Sequence, residues 1–323
     1  MREAQARRKT SGKGEYEMNS KRIALFCATL ALTRSAVVSA GELKVLCTTF
    51  PIYQITRNVM QERKEADVQL LLPAALGCPH DHALTPQDMQ KLVGARVLVV
   101  NGLGLEEFLG APVKRANTDL VVVDSSAGLT ALLRYQDDRH DHDATTKHTG
   151  INPHLFASPR RAAELATTIA AGLAKADPEG GALYKQNAEI YAARMNGLAD
   201  EFVALGKTLK NNRIVTQHGV FDYLARDMGL EVVAVVQAHA GQEPSAADML
   251  AVVKHVRKKK AGAIFTEPQY PGKVGQTIAR ETGIPSATLD PVATGPEAAP
   301  LDYYETVMRN NMETLRATLG VTK

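Results

Sequence analysis

The chain has 323 residues, 45% of them hydrophobic, which predicts two ordinary domains with apolar cores and excludes a disordered or fibrous protein. Residues 1–40 hold 8 Lys and Arg and 3 Asp and Glu, so the rest of the chain has 30 basic and 32 acidic residues. Its net charge of −2 and its lack of Trp give no electrostatic reason to expect nucleic acid or an anionic membrane as a partner.

Residues 1–40 have the order of a secretory signal peptide. The stretch MNSKR from Met18 is basic, the apolar run 23–32 follows, and small residues precede a predicted cleavage after Ala40. The apolar run is too short to span a bilayer. Residues 1–17 are interpreted as translation from a misplaced start, and a buried N-terminal helix is the alternative. We therefore expect a periplasmic protein released from its leader, and, as a separate expectation, a monomer.

After Gly41, short Val- and Leu-rich runs alternate with helical patterns. The predicted strands of the first half are LKVLCTTF, ADVQLLLP, ARVLVVNG and TDLVVVDS, with helices in TRNVMQERK and TPQDMQKLVG. The second half repeats this with strands RIVTQ, EVVAVV, GAIFTE and SATLDP, and its helix PSAADMLAVVKHVRKKK opens on a capping-box pattern of Ser245 and Asp248. This alternation predicts an α/β fold of two lobes, residues 41–176 and 212–323, each a mainly parallel sheet flanked by helices.

Residues 177–211 are predicted to form one long helix that joins the lobes. Asp177 is the expected N-cap and Pro178 the first helical residue, although Gly180 and Gly181 leave the exact start open. The apolar residues that fall on one stripe of this helix are Tyr184, Tyr191, Leu198, Phe202, Leu205 and Leu209. A helix of this length spans roughly 45 to 50 Å, which is long enough to pass behind both lobes.

Four residues of metal-ligand type lie near the ends of predicted strands or in short loops: His80, His154, His218 and Asp290. In open α/β sheets, ligands bind beyond the carboxyl ends of the strands, so these side chains are predicted to converge. Three imidazoles and one carboxylate fill a tetrahedral zinc site. A single His at a strand end is more often an ordinary polar residue, and the prediction therefore depends on all four together.

A polar segment without apolar periodicity, residues 134–150, contains His140, His142 and His148 among carboxylates. Two interpretations stay open, namely a solvated insertion and an auxiliary site that collects metal with low affinity.

The predicted mature chain contains two cysteines, Cys47 and Cys78. A disulfide, two buried thiols, and a Cys78 that lies near the metal are all compatible with the sequence. A third cysteine, Cys27, follows Phe26 in the leader, where a lipoprotein cleavage site would have a small residue, so no lipid anchor is expected.

Seven ordered motifs resemble the signatures of one family over residue 43 to the C-terminus: GCPHDHALTPQDMQKL, ARVLVVNGLGLEEFL, NPHLFASP, RIVTQHGVFDYLARDMGLE, EPSAADM, IFTEPQY and LDPVATG. The family is that of the zinc and manganese solute-binding proteins of ABC importers, the ZnuA-like and TroA-like receptors. The resemblance implies two α/β lobes joined by a backbone helix, with metal in the cleft between them. It places the family's ligands on His80, His154, His218 and Asp290, and it implies a membrane permease and an ATPase as partners.

The residue at position 218 bears on the choice of metal. The resemblance implies Zn²⁺, because the manganese members tend to have Glu where this chain has His218, and imidazole suits Zn²⁺ better than Mn²⁺. A manganese receptor is the alternative. Departures from the family pattern include Asn152, where Asp is usual, and Phe156, where Trp is usual.

The alternative from another functional class is a secreted zinc hydrolase with Glu267 as the general base. A fourth protein ligand at Asp290 would close the metal shell and remove the activated water, so we expect no enzyme. No HExxH helix or GxSxG elbow is present. Glu267 is instead predicted to orient a ligand from outside the metal shell.

Overall fold

The computed structural model describes residues 42–79, 82–135, 150–237 and 244–322. The predicted signal peptide lies outside the described residues. No helix within these ranges is both long and apolar enough to cross a membrane.

Two four-stranded sheets and nine α-helices make up the described part of the chain. The strands are β1 Leu43–Cys47, β2 Ala66–Leu70, β3 Val97–Val100, β4 Val121–Asp124, β5 Arg213–Thr216, β6 Glu231–Val235, β7 Ala263–Thr266 and β8 Ser286–Thr288. The helices are α1 Phe50–Val59, α2 Pro86–Gly94, α3 Gly110–Ala116, α4 Pro159–Ala176, α5 Gly181–Thr208, α6 Asp222–Met228, α7 Ala246–Lys259, α8 Lys273–Thr282 and α9 Tyr303–Leu319.

Both sheets are wholly parallel and have the same strand plan. The first has the order β2-β1-β3-β4 and the second β6-β5-β7-β8, with one helix in each crossover. The order therefore reverses at the central pair of each sheet, and this is where α/β sheets bind ligands. The predicted two-lobed α/β fold is confirmed.

The first helix begins earlier than the sequence pattern predicts. The pattern extends the first strand to Phe50 and places a helix over 56–64, whereas β1 ends at Cys47 and α1 starts at Phe50. Thr49 has an extended backbone at the start of the helix. Pro51 suits the first turn, because the N–H groups there have no partner within the helix and proline has no N–H. Burial of the apolar face of α1 therefore outweighs the β propensity of the TTF sequence, and the helix begins at Phe50.

The long connecting helix α5 has 28 residues and a length of about 42 Å. It begins at Gly181 rather than at Pro178, because Pro178–Gly180 form a separate 3-10 turn. Asp177 does not cap the helix, since its carboxylate accepts hydrogen bonds from Arg63, with Nε at 2.9 Å, and from the Tyr184 hydroxyl. The predicted apolar stripe is buried, and α5 packs on helices of both halves of the chain.

One apolar cluster extends through both lobes. It includes Val45 and Val99 from the first sheet, Ile214 and Phe265 from the second, and Tyr191 from α5. The predicted capping box of α7 is confirmed by reciprocal hydrogen bonds, with Asp248 N to Ser245 Oγ at 3.2 Å and Ser245 N to Asp248 Oδ2 at 3.0 Å.

Candidate metal centre

The second lobe places three polar side chains directly beyond its strands. His218 is the second residue after β5, Glu267 the first after β7, and Asp290 the second after β8. Because β5 and β7 are hydrogen-bonded neighbours, the side chains of His218 and Glu267 emerge side by side. Both are buried, with 2% and 1% of their surface exposed.

His218 is held by the Glu267 carboxylate. Nδ1 of His218 lies 2.5 Å from Oε1 of Glu267, and Oε2 accepts a second hydrogen bond from Gln269 Nε2 at 2.7 Å. A carboxylate can only accept here, so Nδ1 carries the proton and Nε2 is the nitrogen that faces the cleft. Burial alone would lower the pKa of His218, but the Glu267 charge and the contact with Cys78 raise it to about 10.

His154 is held in a similar way by an amide. It precedes the 3-10 turn Leu155–Ala157 and is fully buried. Asn152 Oδ1 accepts from the backbone N–H of His154 at 2.9 Å and lies 2.8 Å from its Nδ1. The Asn152 Nδ2 group donates to Gly219 O at 2.7 Å and to Asp222 Oδ2 at 3.0 Å. One amide therefore orients His154 and links it to the turn that follows His218.

The two imidazoles converge on the thiol of Cys78. Its Sγ is 3.5 Å from His154 Nε2 and 3.8 Å from His218 Nε2. The three ligand atoms all lie within 4.8 Å of one another, and within the described ranges this is the one group of three or more metal-type side chains. Cys47 and Cys78 are both free, so the disulfide interpretation is wrong for this structure. Two nitrogens and a sulfur are donors that suit a zinc-type cation.

Asp290 stands apart from this three-donor group. Its Oδ1 accepts from Val292 N at 2.8 Å, and its backbone N–H and C=O are both bonded to the Asn311 side chain, at 2.9 and 2.7 Å. Burial raises the pKa of Asp290, the hydrogen bond from Val292 opposes this, and the charge of Glu267 adds to the rise. Ligation by Asp290 stays a prediction.

The other predicted ligands are not described. His80 lies outside the described residues, two positions beyond Cys78, and so do His140, His142 and His148. Their roles stay predictions.

The tertiary contacts of Asn152 are the part of the centre that sequence reasoning missed. The one local signal is the Asn-Pro pair before His154, which is typical of a turn closed by the Asn side chain. Nothing in the sequence indicates that the same amide reaches Gly219, 67 residues further along.

Comparison with known proteins identifies relatives that align with most of the chain. A family model described as ZnuA, zinc-uptake complex component A periplasmic, matches residues 45–318. The zinc-binding protein AdcA of Streptococcus pyogenes serotype M3 is 29% identical over 314 residues, covering 93% of this chain, and the chain spans about 60% of that relative's length. The high-affinity zinc uptake system protein ZnuA of Bacillus subtilis is 27% identical over 302 residues, covering 91% of this chain and 93% of the relative.

Solved structures share the fold. The SBP FpvC of P. aeruginosa, in complex with Ni²⁺, aligns with a TM-score of 0.73 and 28% identity, over 86% of this chain and 97% of the other. The strand plan, the connecting helix and the match over residues 45–318 lead to one conclusion. The chain belongs to the ZnuA family of periplasmic zinc-uptake components.

Proposed function

We propose that this protein is a periplasmic receptor that captures Zn²⁺ with His80, His154, His218 and Asp290. It then delivers the ion to the permease and ATPase of an ABC importer. Membership of a family of zinc-uptake components supports both the ion and the partners. The proposal also takes the mature protein to be a monomer that begins after Ala40.

The observation that carries the proposal is the paired arrangement of His154 and His218. The Nδ1 atom of each imidazole is fixed by an oxygen, at 2.8 and 2.5 Å, and each Nε2 approaches the same sulfur. Such outer hydrogen bonds select the tautomer and the ring orientation of metal-binding His residues. Two imidazoles aimed at one point are thus prepared for a cation before it arrives.

A nitrogen-rich centre favours zinc over manganese. Imidazole and thiol donors suit Zn²⁺, whereas Mn²⁺ prefers carboxylate and carbonyl oxygens, and zinc also stands higher in the general order of affinity. A manganese receptor remains the alternative that the titration below tests.

The same geometry favours capture over catalysis. Glu267 is engaged by His218 and Gln269, so its carboxylate is committed to holding the ligand and is not placed to activate a water. With four protein ligands, no coordination position is left for a reacting water. Release then requires that the ligand loops separate, which is the step we assign to permease docking.

Competitive titration calorimetry of the purified protein with Zn²⁺, Mn²⁺ and Ni²⁺ tests the proposal. We expect one tight zinc site that is lost in His218→Ala. The site should be kept in the control variant His255→Ala, which changes a His of helix α7 that is not among the predicted ligands. Deletion of 137–148 should remove only weak sites. Preference for manganese, or tight zinc binding unaffected by His218→Ala, would show that the metal or the site is wrong.

A further inference from the structure

We propose that the Cys78 thiolate is a ligand of the captured ion, so that this receptor binds its metal through sulfur as well as nitrogen. The inference rests on the proposed function and changes its ligand set: a tetrahedral ion held by Cys78, His154 and His218 has one position left, which His80 or Asp290 would fill. When the ion binds, the S–H bond breaks, a metal–sulfur bond forms and the proton passes to solvent.

The two sulfur–nitrogen distances fit one tetrahedral ion, and the two nitrogens lie within 4.8 Å of each other. With Zn–S of about 2.3 Å and Zn–N of about 2.0 to 2.1 Å, tetrahedral geometry separates sulfur from each nitrogen by roughly 3.6 Å. The distances from Cys78 Sγ to His154 Nε2 and His218 Nε2 are 3.5 and 3.8 Å. An ion bound by both imidazoles on the side that faces Cys78 would therefore lie near bonding distance of the sulfur.

The loop that carries Cys78 lies against the second lobe. Gly77 has φ of +79°, a conformation that favours glycine, so the chain turns sharply just before Cys78. A Cβ added at Gly77 would lie 3.2 Å from Cγ of Gln269 and 3.6 Å from the Tyr270 hydroxyl, both in the second lobe. Gln269 in turn donates to Glu267, the partner of His218. The residue before Cys78 therefore lies against the same Gln269 side chain that holds Glu267.

Cys47 provides the contrast. It ends β1, is fully buried in the shared apolar cluster, and burial raises the pKa of its thiol to about 12. Cys78 is half-buried and faces two imidazoles. One cysteine therefore serves as an internal control for the other.

Thiolate ligation should increase the preference of the site for Zn²⁺ over Mn²⁺. Sulfur is a soft donor that suits Zn²⁺ and contributes little to Mn²⁺. We expect Cys78→Ser to lower zinc affinity by at least about tenfold, the lower end of what loss of even an outer partner costs. The affinity for manganese should change less, so the preference for zinc over manganese should narrow.

Cobalt spectroscopy on the full chain is the direct test. We expect the wild-type protein loaded with Co²⁺ to show a near-ultraviolet sulfur-to-cobalt charge-transfer band. That band should be absent in Cys78→Ser, which should keep the visible bands of bound cobalt, and it should persist in Cys47→Ala. A charge-transfer band unchanged in Cys78→Ser, or absent from wild type with cobalt bound, would overturn sulfur ligation and leave the receptor proposal standing. Wild-type protein that binds neither cobalt nor zinc would overturn both.

Alkylation of the wild-type protein covers the case in which Cys78→Ser does not fold. One equivalent of Zn²⁺ should stop modification of Cys78 by iodoacetamide, mapped by mass spectrometry, while buried Cys47 stays unmodified with or without metal. Alkylation of Cys78 at the same rate in the presence of bound zinc would rule out the bond.

Discussion

The two lobes share one strand plan, yet they position their metal-type side chains by different means. In the second lobe, His218, Glu267 and Asp290 lie one or two residues beyond a strand, so the sheet itself fixes them. In the first lobe, Cys78 is eight residues beyond β2 and His154 thirty residues beyond β4. These two depend on loops that residues of the second lobe help to hold. We call His218, Glu267 and Asp290 the rigid half-site, because each directly follows a strand. We call Cys78 and His154 the adaptable half-site, because both lie in longer loops.

The pH dependence of zinc binding should give the largest effect, through the rigid half-site. The pKa of metal-free His218 is about 10, so below that pH the ion must displace a proton from the imidazole. Affinity should therefore rise with pH, by about tenfold per unit and roughly a hundredfold between about pH 6 and pH 8 from the His218 proton alone, and more steeply where the Cys78 thiol also gives up its proton.

Competition titrations between about pH 6 and pH 8 measure how steeply zinc affinity rises with pH. Glu267→Gln removes the charge that raises the pKa and should flatten the upper part of the curve. A wild-type affinity that is constant over the range would contradict the assignment of the rigid half-site.

Removal of the carboxylate that holds His218 should give the next largest effect. We expect Glu267→Ala to weaken zinc binding by about ten- to a hundredfold, because the imidazole loses its orienting partner. Glu267→Gln, which keeps an oxygen acceptor for Nδ1–H, should lose less. Calorimetry on the two variants measures the difference, and equal losses would show that charge rather than orientation matters.

Removal of the amide that holds His154, in the adaptable half-site, should weaken zinc binding less than removal of the Glu267 carboxylate. We expect Asn152→Ala to weaken zinc binding by about tenfold, because a neutral amide holds His154 less strongly than a carboxylate holds His218. Asn152→Asp keeps the acceptor for His154, loses the donor to Gly219 and places a second carboxylate against Asp222, so a loss beyond that of Asn152→Ala would measure the link between the lobes together with this repulsion. A loss in Asn152→Ala larger than that in Glu267→Ala would reverse the comparison.

Two glycines of α5 test how closely the second lobe packs on the connecting helix. A Cβ at Gly206 would collide with the backbone carbonyl of Met228 at the end of α6, so Gly206→Ala should lower the free energy of unfolding by about 1 to 3 kcal/mol. Gly197 has open space around it, and Gly197→Ala should raise that free energy by about 0.5 to 1 kcal/mol. Denaturant unfolding of both variants checks the signs, and similar values for the two would refute the close contact.

The sequence predicts the second half of the centre better than the first. His218 and Glu267 can be placed because each ends a short apolar strand, and parallel strands bring their carboxyl ends to one edge. Cys78 remained one of several alternatives, since an eight-residue loop does not fix a direction. The contacts of Asn152 with Gly219 and Asp222 depend on the packing of the two lobes, which no local pattern contains.

The fold, too, is predictable where local periodicity decides it. All eight strands and the apolar stripe of α5 follow from periodicity. The start of α1 does not, because the TTF sequence has β propensity and the helix is decided by burial of Phe50, Ile52 and Ile55. The start of α5 also differs, because Asp177 is bound by Arg63 and is not available as a cap.

The single apolar cluster has a consequence for how the molecule unfolds. Residues as distant in sequence as Val45 and Phe265 share it, so opening the protein between the lobes would expose both sheets to water at once. The lobes are therefore not independent folding units, and we expect one cooperative transition in place of two. An ion that contacts only a few loops would consequently slow amide hydrogen exchange in the central strands of both sheets.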